Sequence, residues 1–282
     1  MRRQLFASGT KLTLGAVIVA GSILVALLAP LLAPANPDAQ DLLNRLLPPV
    51  WQAGGSFAHL LGTDAYGRDL LSRLIFGARI SIVIGLAAML LSCVLGTLLG
   101  MTAAYSSGVL ETLVMRVADA QLAVPAILLA ILVVATVGGS LINLVLVLGI
   151  SSWMIYARVV FGMTKSLKER PFVEAAAAQG ARDAYILARH ILPHLLPVLT
   201  VVSTLQVAQM ILTETALSFL GLGLPPPTPS WGNILAEGRD RLLVAPWIAD
   251  AAGIAIVIVV WGINMLGTGL REHLDPQRIS RD

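Results

Sequence analysis

The side chains best suited to chemistry are two histidines, His190 and His194, which lie four residues apart. On a helix this spacing places both rings on one face, as in many zinc sites. Pro193 lies between them, however, and the chain has neither an H-E-x-x-H sequence nor a third ligand nearby. A solvated helix face is therefore the better interpretation.

Other catalytic patterns are also missing from the sequence. The serine pairs at 106–107 and 151–152 have no base at a helical spacing that could activate them. The chain contains no G-x-x-x-x-G-K-[ST] phosphate loop, so it cannot hold ATP in that way. Its single cysteine, Cys93, can form neither an internal disulfide nor a metal cluster. We predict a non-catalytic chain with no metal and no cofactor.

Glu214 is the one acidic residue inside a long apolar stretch, 195–236. An ionisable residue within a membrane span marks either a transport pathway or a buried polar contact. The sequence does not separate a position facing the pathway from a structural hydrogen bond, and both interpretations stay open.

The elements that must position these residues are long apolar segments. The composition is 57% hydrophobic and only 12% charged, about half the charged share of a soluble domain. A spanning helix needs about 20 apolar residues, and the charge-free windows accommodate six. The first is longer than the apolar region of a signal peptide, so we expect it to be retained. The predicted spans lie near 12–33, 80–104, 118–137, 141–162, 195–222 and 247–269.

The distribution of Lys and Arg predicts how the chain is oriented. Six spans put both termini on one side of the membrane. If that side is the cytoplasm, the inner segments carry 13 of the 19 basic residues, as the positive-inside rule requires. The net charge of +3 reflects this orientation. No basic patch is interleaved with aromatic residues, so nucleic acid is not an expected partner.

The inner loop 163–194 has the pattern of a docking element. Pro171 suits the first turn of a helix, and Glu174 follows near its positive end. The alanines at 175–178 give a smooth surface, and Gly180 fits a C-terminal cap. A second helical run follows, which we expect Pro193 and Pro197 to end or kink. An amphipathic helix lying on lipid is the alternative.

The same loop resembles a family signature. Glu174-Ala175-Ala176, then Gly180, then His190-Ile191-Leu192-Pro193 resembles the EAA loop of ABC importer permeases. The general motif has Ile where this chain has His190, a difference that resembles the peptide/nickel subfamily. The stretches 59–79, 217–235 and 264–277 resemble C-type permeases of dipeptide and oligopeptide importers. One departure is Thr268, which replaces an Asp common in that subfamily.

The resemblance implies an all-α integral membrane protein with six transmembrane helices and the type I ABC importer permease fold. Its expected divisions are an N-terminal tail, first helix and extracytoplasmic segment over 1–79, a five-helix core over 80–270 and a cytoplasmic tail over 271–282. Within the core, the loop 163–194 is expected to couple to the ATPase. The coupling residues carried over from the motif are Glu174, Ala175, Ala176, Gly180, Leu192 and Pro193.

Partners are implied by the resemblance as well. They are a second, B-type permease subunit, two cytoplasmic ABC ATPase subunits that hydrolyse ATP, an extracytoplasmic solute-binding protein, and membrane lipid. The expected location is the bacterial inner membrane, with both termini cytoplasmic. Peptides are the first expected substrate, with nickel chelates, glutathione and oligosaccharides as alternatives. An ATP-independent secondary transporter is the rival mechanism, and Glu214 alone supports it.

Overall fold

The computed structural model describes residues 2–274, with side chains over 10–273, and within this range the chain is helical without a β-sheet. Residues 275–282 of the expected C-terminal tail lie outside the described part. The helices are α1 Arg2–Leu27, α2 Ala29–Leu32, α3 Leu70–Ser106, α4 Gly108–Leu122, α5 Ala126–Val137, α6 Leu141–Ile150, α7 Trp153–Lys168, α8 Pro171–Ala178, α9 Asp183–Ile186, α10 Leu192–Phe219, α11 Trp231–Arg239 and α12 Pro246–Leu274.

Five stretches of the described chain are long and apolar enough to cross a membrane, and a sixth is broken. The broken one is the pair α4–α5, whose axes meet at 87°. Pro125 lies at the junction, and it lacks the N–H that would continue the helix. The expected span 118–137 is thus two helices rather than one. We call the side that carries residues 163–194 the inner side, and the side that carries residues 33–69 the outer side.

Glycines allow the spans to approach closely. In α3, a Cβ added at Gly100 would lie 2.6 Å from the carbonyl oxygen of Ala157 in α7. Gly96, one turn earlier, meets the backbone of Trp153 in the same way. This is a small-xxx-small contact, and it fixes α7, which leads into the inner loop, against α3.

The outer segment is fastened by buried charges. Arg73, 1% exposed, donates hydrogen bonds to Asp64 at 2.6 Å and to Glu237 of α11 at 2.6 and 2.9 Å. Arg68 binds the same two carboxylates. Asp69 caps α3 by accepting from the Ser72 N–H at 2.8 Å. These bonds join the segment before α3 to the loop after α10.

Of the two outcomes expected at Pro193 and Pro197, an end of the second loop helix is wrong, because the helix continues past both prolines. α9 continues through a π-helical turn, Leu187–Ile191, directly into α10. Pro193 lies in the first turn of α10, immediately after the wider π turn. A proline ring normally clashes with the carbonyl four residues earlier, and the wider turn before it relieves that crowding. Residues 183–219 therefore form one continuous helix of 37 residues.

Candidate functional site

The inner loop is built around the short helix α8. Pro171 occupies its first turn, and the alanines that follow have the strongest helix propensity. Gly180 ends the helix with φ of +79°. The Gly180 N–H donates to the Ala177 carbonyl at 2.9 Å, and the Ala181 N–H donates to the Ala176 carbonyl at 3.1 Å. These two bonds form a Schellman motif and confirm the predicted glycine cap.

One side of the loop is anchored in an apolar cluster. Val173, Ile186, Ile191 and Leu195 are each at most 2% exposed. They pack together with buried side chains of α3 and α7, including Tyr156. Burial of each such aliphatic side chain is worth about 2 kcal/mol relative to water. The loop is thus firmly attached to α7 and α10 and is not a loose connection.

The opposite side of the loop is exposed. Glu174, Ala175 and Gly180 are exposed, and a Cβ added at Gly180 would meet nothing within 4 Å. Small side chains beside an open glycine leave a flat surface that another protein can approach closely.

The remaining predicted coupling residues divide between the two sides. Ala176 is half-buried against the apolar cluster, as is Leu192, whereas Pro193 is exposed at the start of α10. The residues of α8 and those of α10 come together in space because Phe172 of α8 stacks on His194 of α10, with ring centroids 5.2 Å apart. The structure therefore gathers the predicted set at one place on the inner side, with Glu174, Ala175, Gly180 and Pro193 accessible.

Sequence reasoning missed the ring contacts that hold this place together. Besides the Phe172–His194 stack, Tyr185 lies edge-on to His190 at 5.6 Å between centroids. The histidines were interpreted as a solvated face, whereas each packs against an aromatic ring. The signal available in the sequence was the occurrence of Phe172 and Tyr185, both partly exposed aromatics, in an otherwise alanine-rich loop.

Glu214 lies away from this loop, in the outer half of α10, and is fully buried. Its carboxylate accepts a hydrogen bond from the Ser218 hydroxyl at 2.7 Å and another from the Ser81 hydroxyl of α3 at 3.1 Å. Of the two interpretations left open by the sequence, this geometry supports a structural hydrogen bond between helices.

Comparison with known proteins identifies two matching family descriptions. Residues 96–280 match the binding-protein-dependent transport system inner membrane component. Residues 13–49 match the N-terminal TM domain of oligopeptide transport permease C. Together these ranges include most of α1 and most of the helices that surround the inner loop.

Similar proteins cover nearly the whole chain. The dipeptide transport system permease protein DppC of Haemophilus influenzae is 39% identical over 264 residues, covering 94% of this chain and 90% of that protein. The di/tripeptide transport system permease protein DppC of Pseudomonas aeruginosa is 42% identical over 255 residues, with 90% and 84% covered. The glutathione transport system permease protein GsiD of Pectobacterium atrosepticum is 42% identical over 224 residues, with 79% and 74% covered.

A solved structure shares the fold. The inward-facing methionine ABC transporter MetNI matches with a TM-score of 0.56 over 75% of this chain and 95% of that chain, at 19% identity. Identity this low speaks for the fold alone, and the fold agrees with the all-helical, multi-span architecture described above. The chain therefore belongs to the family of binding-protein-dependent transport system inner membrane components, the multi-pass membrane permeases of ABC importers.

Proposed function

We propose that this chain is one of two permease subunits of an ATP-driven importer of short peptides, and that loop 163–194 couples it to the ATPase. The observation that carries the coupling proposal is the two-sided loop. One side is anchored by Val173, Ile186 and Ile191, and the other presents Glu174, Ala175 and Gly180 to the surroundings. An amphipathic helix lying on lipid would instead turn its apolar side outward.

Coupling results from how the loop is attached. The ATPase binds the exposed side of α8, with Glu174, Ala175 and Gly180 at the contact and Pro193 beside them at the start of α10. Ala176 and Leu192 attach this surface to the apolar cluster. Because the buried side is packed on α7 and α10, a displacement of the loop moves both spans. ATP binding and hydrolysis in partner chains then shift the permease between inward-open and outward-open arrangements, each favoured by a different ATPase state.

The partners and orientation belong to the same proposal. A B-type permease forms the other half of the pathway, two ATPase subunits bind on the inner side, and an extracytoplasmic binding protein delivers the substrate. The inner side faces the cytoplasm of a bacterium, with both termini there, because most basic residues lie on that side. The functional core is 80–270, preceded by the first helix and outer segment over 1–79 and followed by the tail 271–282.

Short peptides are the proposed substrate because two relatives that match at least 90% of this chain are named as dipeptide and di/tripeptide permeases. Glutathione is a second candidate within the same chemical class, since glutathione permeases are similar over most of the chain. A secondary transporter is disfavoured because Glu214, its main support, is buried and hydrogen-bonded.

The proposal is tested by co-purification and crosslinking. The tagged chain is extracted in mild detergent, its partners are identified by mass spectrometry, and ATPase activity is measured. In a Cys93→Ser background, Ala175→Cys is expected to crosslink to an ATPase subunit. Val109→Cys, 85% exposed at the start of α4 on the same side, is the matched control. Recovery of the chain without an ATPase, and no crosslink from position 175, would contradict the proposal.

A further inference from the structure

A large groove opens on the outer side, far from the inner loop. Its volume is about 900 Å³, within the range of about 300–1,000 Å³ typical of small-molecule sites. One wall is the chain that leaves α1, residues 30–38, and the other is the outer part of α3 between Phe76 and Val83. Leu141 and the residues 228–229 complete the rim.

Two opposite charges line this groove without a side-chain partner among residues 10–273. Arg79 and Asp38 are both exposed, and neither side chain makes an ion pair or a hydrogen bond with any other side chain described over 10–273. The neighbouring charges behave differently, because Arg68 and Arg73 each pair with both Asp64 and Glu237. The groove therefore holds one available cation and one available anion.

Arg79 lies at a depth where its charge calls for a polar environment. It lies nine residues after the start of α3, about 14 Å along the helix axis. It directly precedes the apolar stretch 80–110, so it stands at the outer edge of the span. A guanidinium at that depth is costly unless water, a headgroup or a ligand compensates its charge.

The walls of the groove are stiff. Four prolines line it, at positions 30, 34, 37 and 229, and each fixes its backbone φ. Pro37 is also buried. A ligand entering such a groove loses little free energy to ordering the protein, because the shape is already set.

We infer that this groove is a peptide-binding site, in which Arg79 binds the α-carboxylate and Asp38 binds the α-ammonium of a short peptide. A guanidinium suits a carboxylate because it can donate two parallel hydrogen bonds. Phe76 and Val83 offer apolar contact to peptide side chains. Recognition of both termini selects short zwitterions with little regard to sequence. The inference rests on the proposed function and names where on this chain that substrate binds.

Cysteine protection tests the site directly. The complete importer, without its binding protein, is placed in nanodiscs with Val83→Cys in a Cys93→Ser background. Val83 is 44% exposed and lines the groove. Dialanine at millimolar concentration is expected to slow labelling by a membrane-impermeant maleimide, whereas N-acetyl-dialanine amide, which lacks both charges, is not. Leu243→Cys, fully exposed in the outer loop outside the groove, should label equally under all conditions.

Charge variants then identify the two partners. Arg79→Gln and Asp38→Asn are each expected to raise the dialanine concentration for half-protection at least tenfold. Arg45→Gln, an exposed arginine of the outer segment that does not line the groove, should leave it unchanged. Equal protection by the free and capped peptides, or no effect of either charge variant, would overturn the inference. Protection that rises with the content of anionic lipid and not with peptide would also overturn it, because Arg79 would then bind a lipid headgroup.

Uptake separates this inference from the proposed function. With the binding protein present, importer in vesicles should take up labelled dialanine when ATP is supplied on the side of the ATPase. No uptake by the unmodified importer would contradict the proposed function. Normal uptake without any protection at Val83→Cys would contradict the groove alone.

Discussion

The replacement Gly180→Arg tests most directly whether the inner loop docks an ATPase. Gly180 has φ of +79°, where an L-residue costs about 1–2 kcal/mol. No atom lies within 4 Å of an added Cβ, so a side chain causes no clash inside the chain. The equilibrium between the formed and the opened turn therefore shifts by a factor of about 5–30, which is too little to unfold the protein. A long cation on the exposed side should nevertheless keep a partner at a distance.

We expect Gly180→Arg to insert at normal levels and to lower ATP-driven uptake below about a tenth of the original rate. Gly180→Ala has the same backbone strain with only a methyl group, so its uptake should fall less. The matched control is Gly108→Arg. Gly108 has φ of +70°, its added Cβ also meets nothing within 4 Å, and it lies in the other inner loop, between α3 and α4. Uptake in vesicles and the amount of co-purified ATPase are measured for all three variants.

The outcomes separate docking from strain. Loss of both uptake and bound ATPase in Gly180→Arg, with Gly108→Arg unaffected, supports docking at the exposed side of α8. Normal uptake by Gly180→Arg would refute it. Equal losses in the two arginine variants would assign the effect to turn strain or added charge.

Three further predictions concern the buried contacts and are measured by thermal denaturation in detergent alongside uptake. Glu214→Ala should destabilise the chain by about 2–4 kcal/mol, because it removes hydrogen bonds and leaves a cavity. Uptake should fall only in proportion to the amount of folded protein. Unchanged stability with lost uptake would instead indicate a role in the transport pathway. Arg73→Ala should cost about 3–5 kcal/mol because it leaves buried carboxylates under-compensated, whereas exposed Arg45→Ala should change stability by less than about 0.5 kcal/mol. Gly100→Ala should cost about 1–3 kcal/mol through overpacking, while Gly21→Ala, where an added Cβ meets nothing within 4 Å, should not destabilise; equal effects would contradict the close helix contact.

Composition and spacing predict much of this fold because membrane spans obey simple length and charge rules. The apolar windows predict where each span lies but not where it ends, since α3 begins at Leu70 and α4 at Gly108, each ten residues before the predicted span. Gly96 and Gly100 indicate a close contact that the structure assigns to α7. The 87° angle at Pro125 was beyond the sequence, because a proline predicts a break without its direction. The direction depends on what α4 and α5 pack against.

The candidate site was predictable where one residue determines the local backbone. Gly180 is such a residue, because glycine is the usual residue at a left-handed backbone position that ends a helix. The helix continues through Pro193 after a π turn at Leu187–Ile191, and no single residue type signals such a turn in the sequence. The pairing of Arg73 with Glu237 joins residues 164 positions apart, and a lone sequence carries no record of such long-range contacts.

The continuous helix from Asp183 to Phe219 carries contacts of both the inner loop and the outer side. Its 37 residues span about 55 Å, so it connects the loop that presents Gly180 to the outer side in one piece. At its inner end Phe172 stacks on His194, and near its outer end Glu214 is hydrogen-bonded to Ser81 of α3. In the proposed coupling, a displacement at the loop reaches the outer side through α10, which lies beyond the π turn and moves as a body. A stiff α10 fastened at both ends is what a permease needs if an ATPase on one side is to open a pathway on the other.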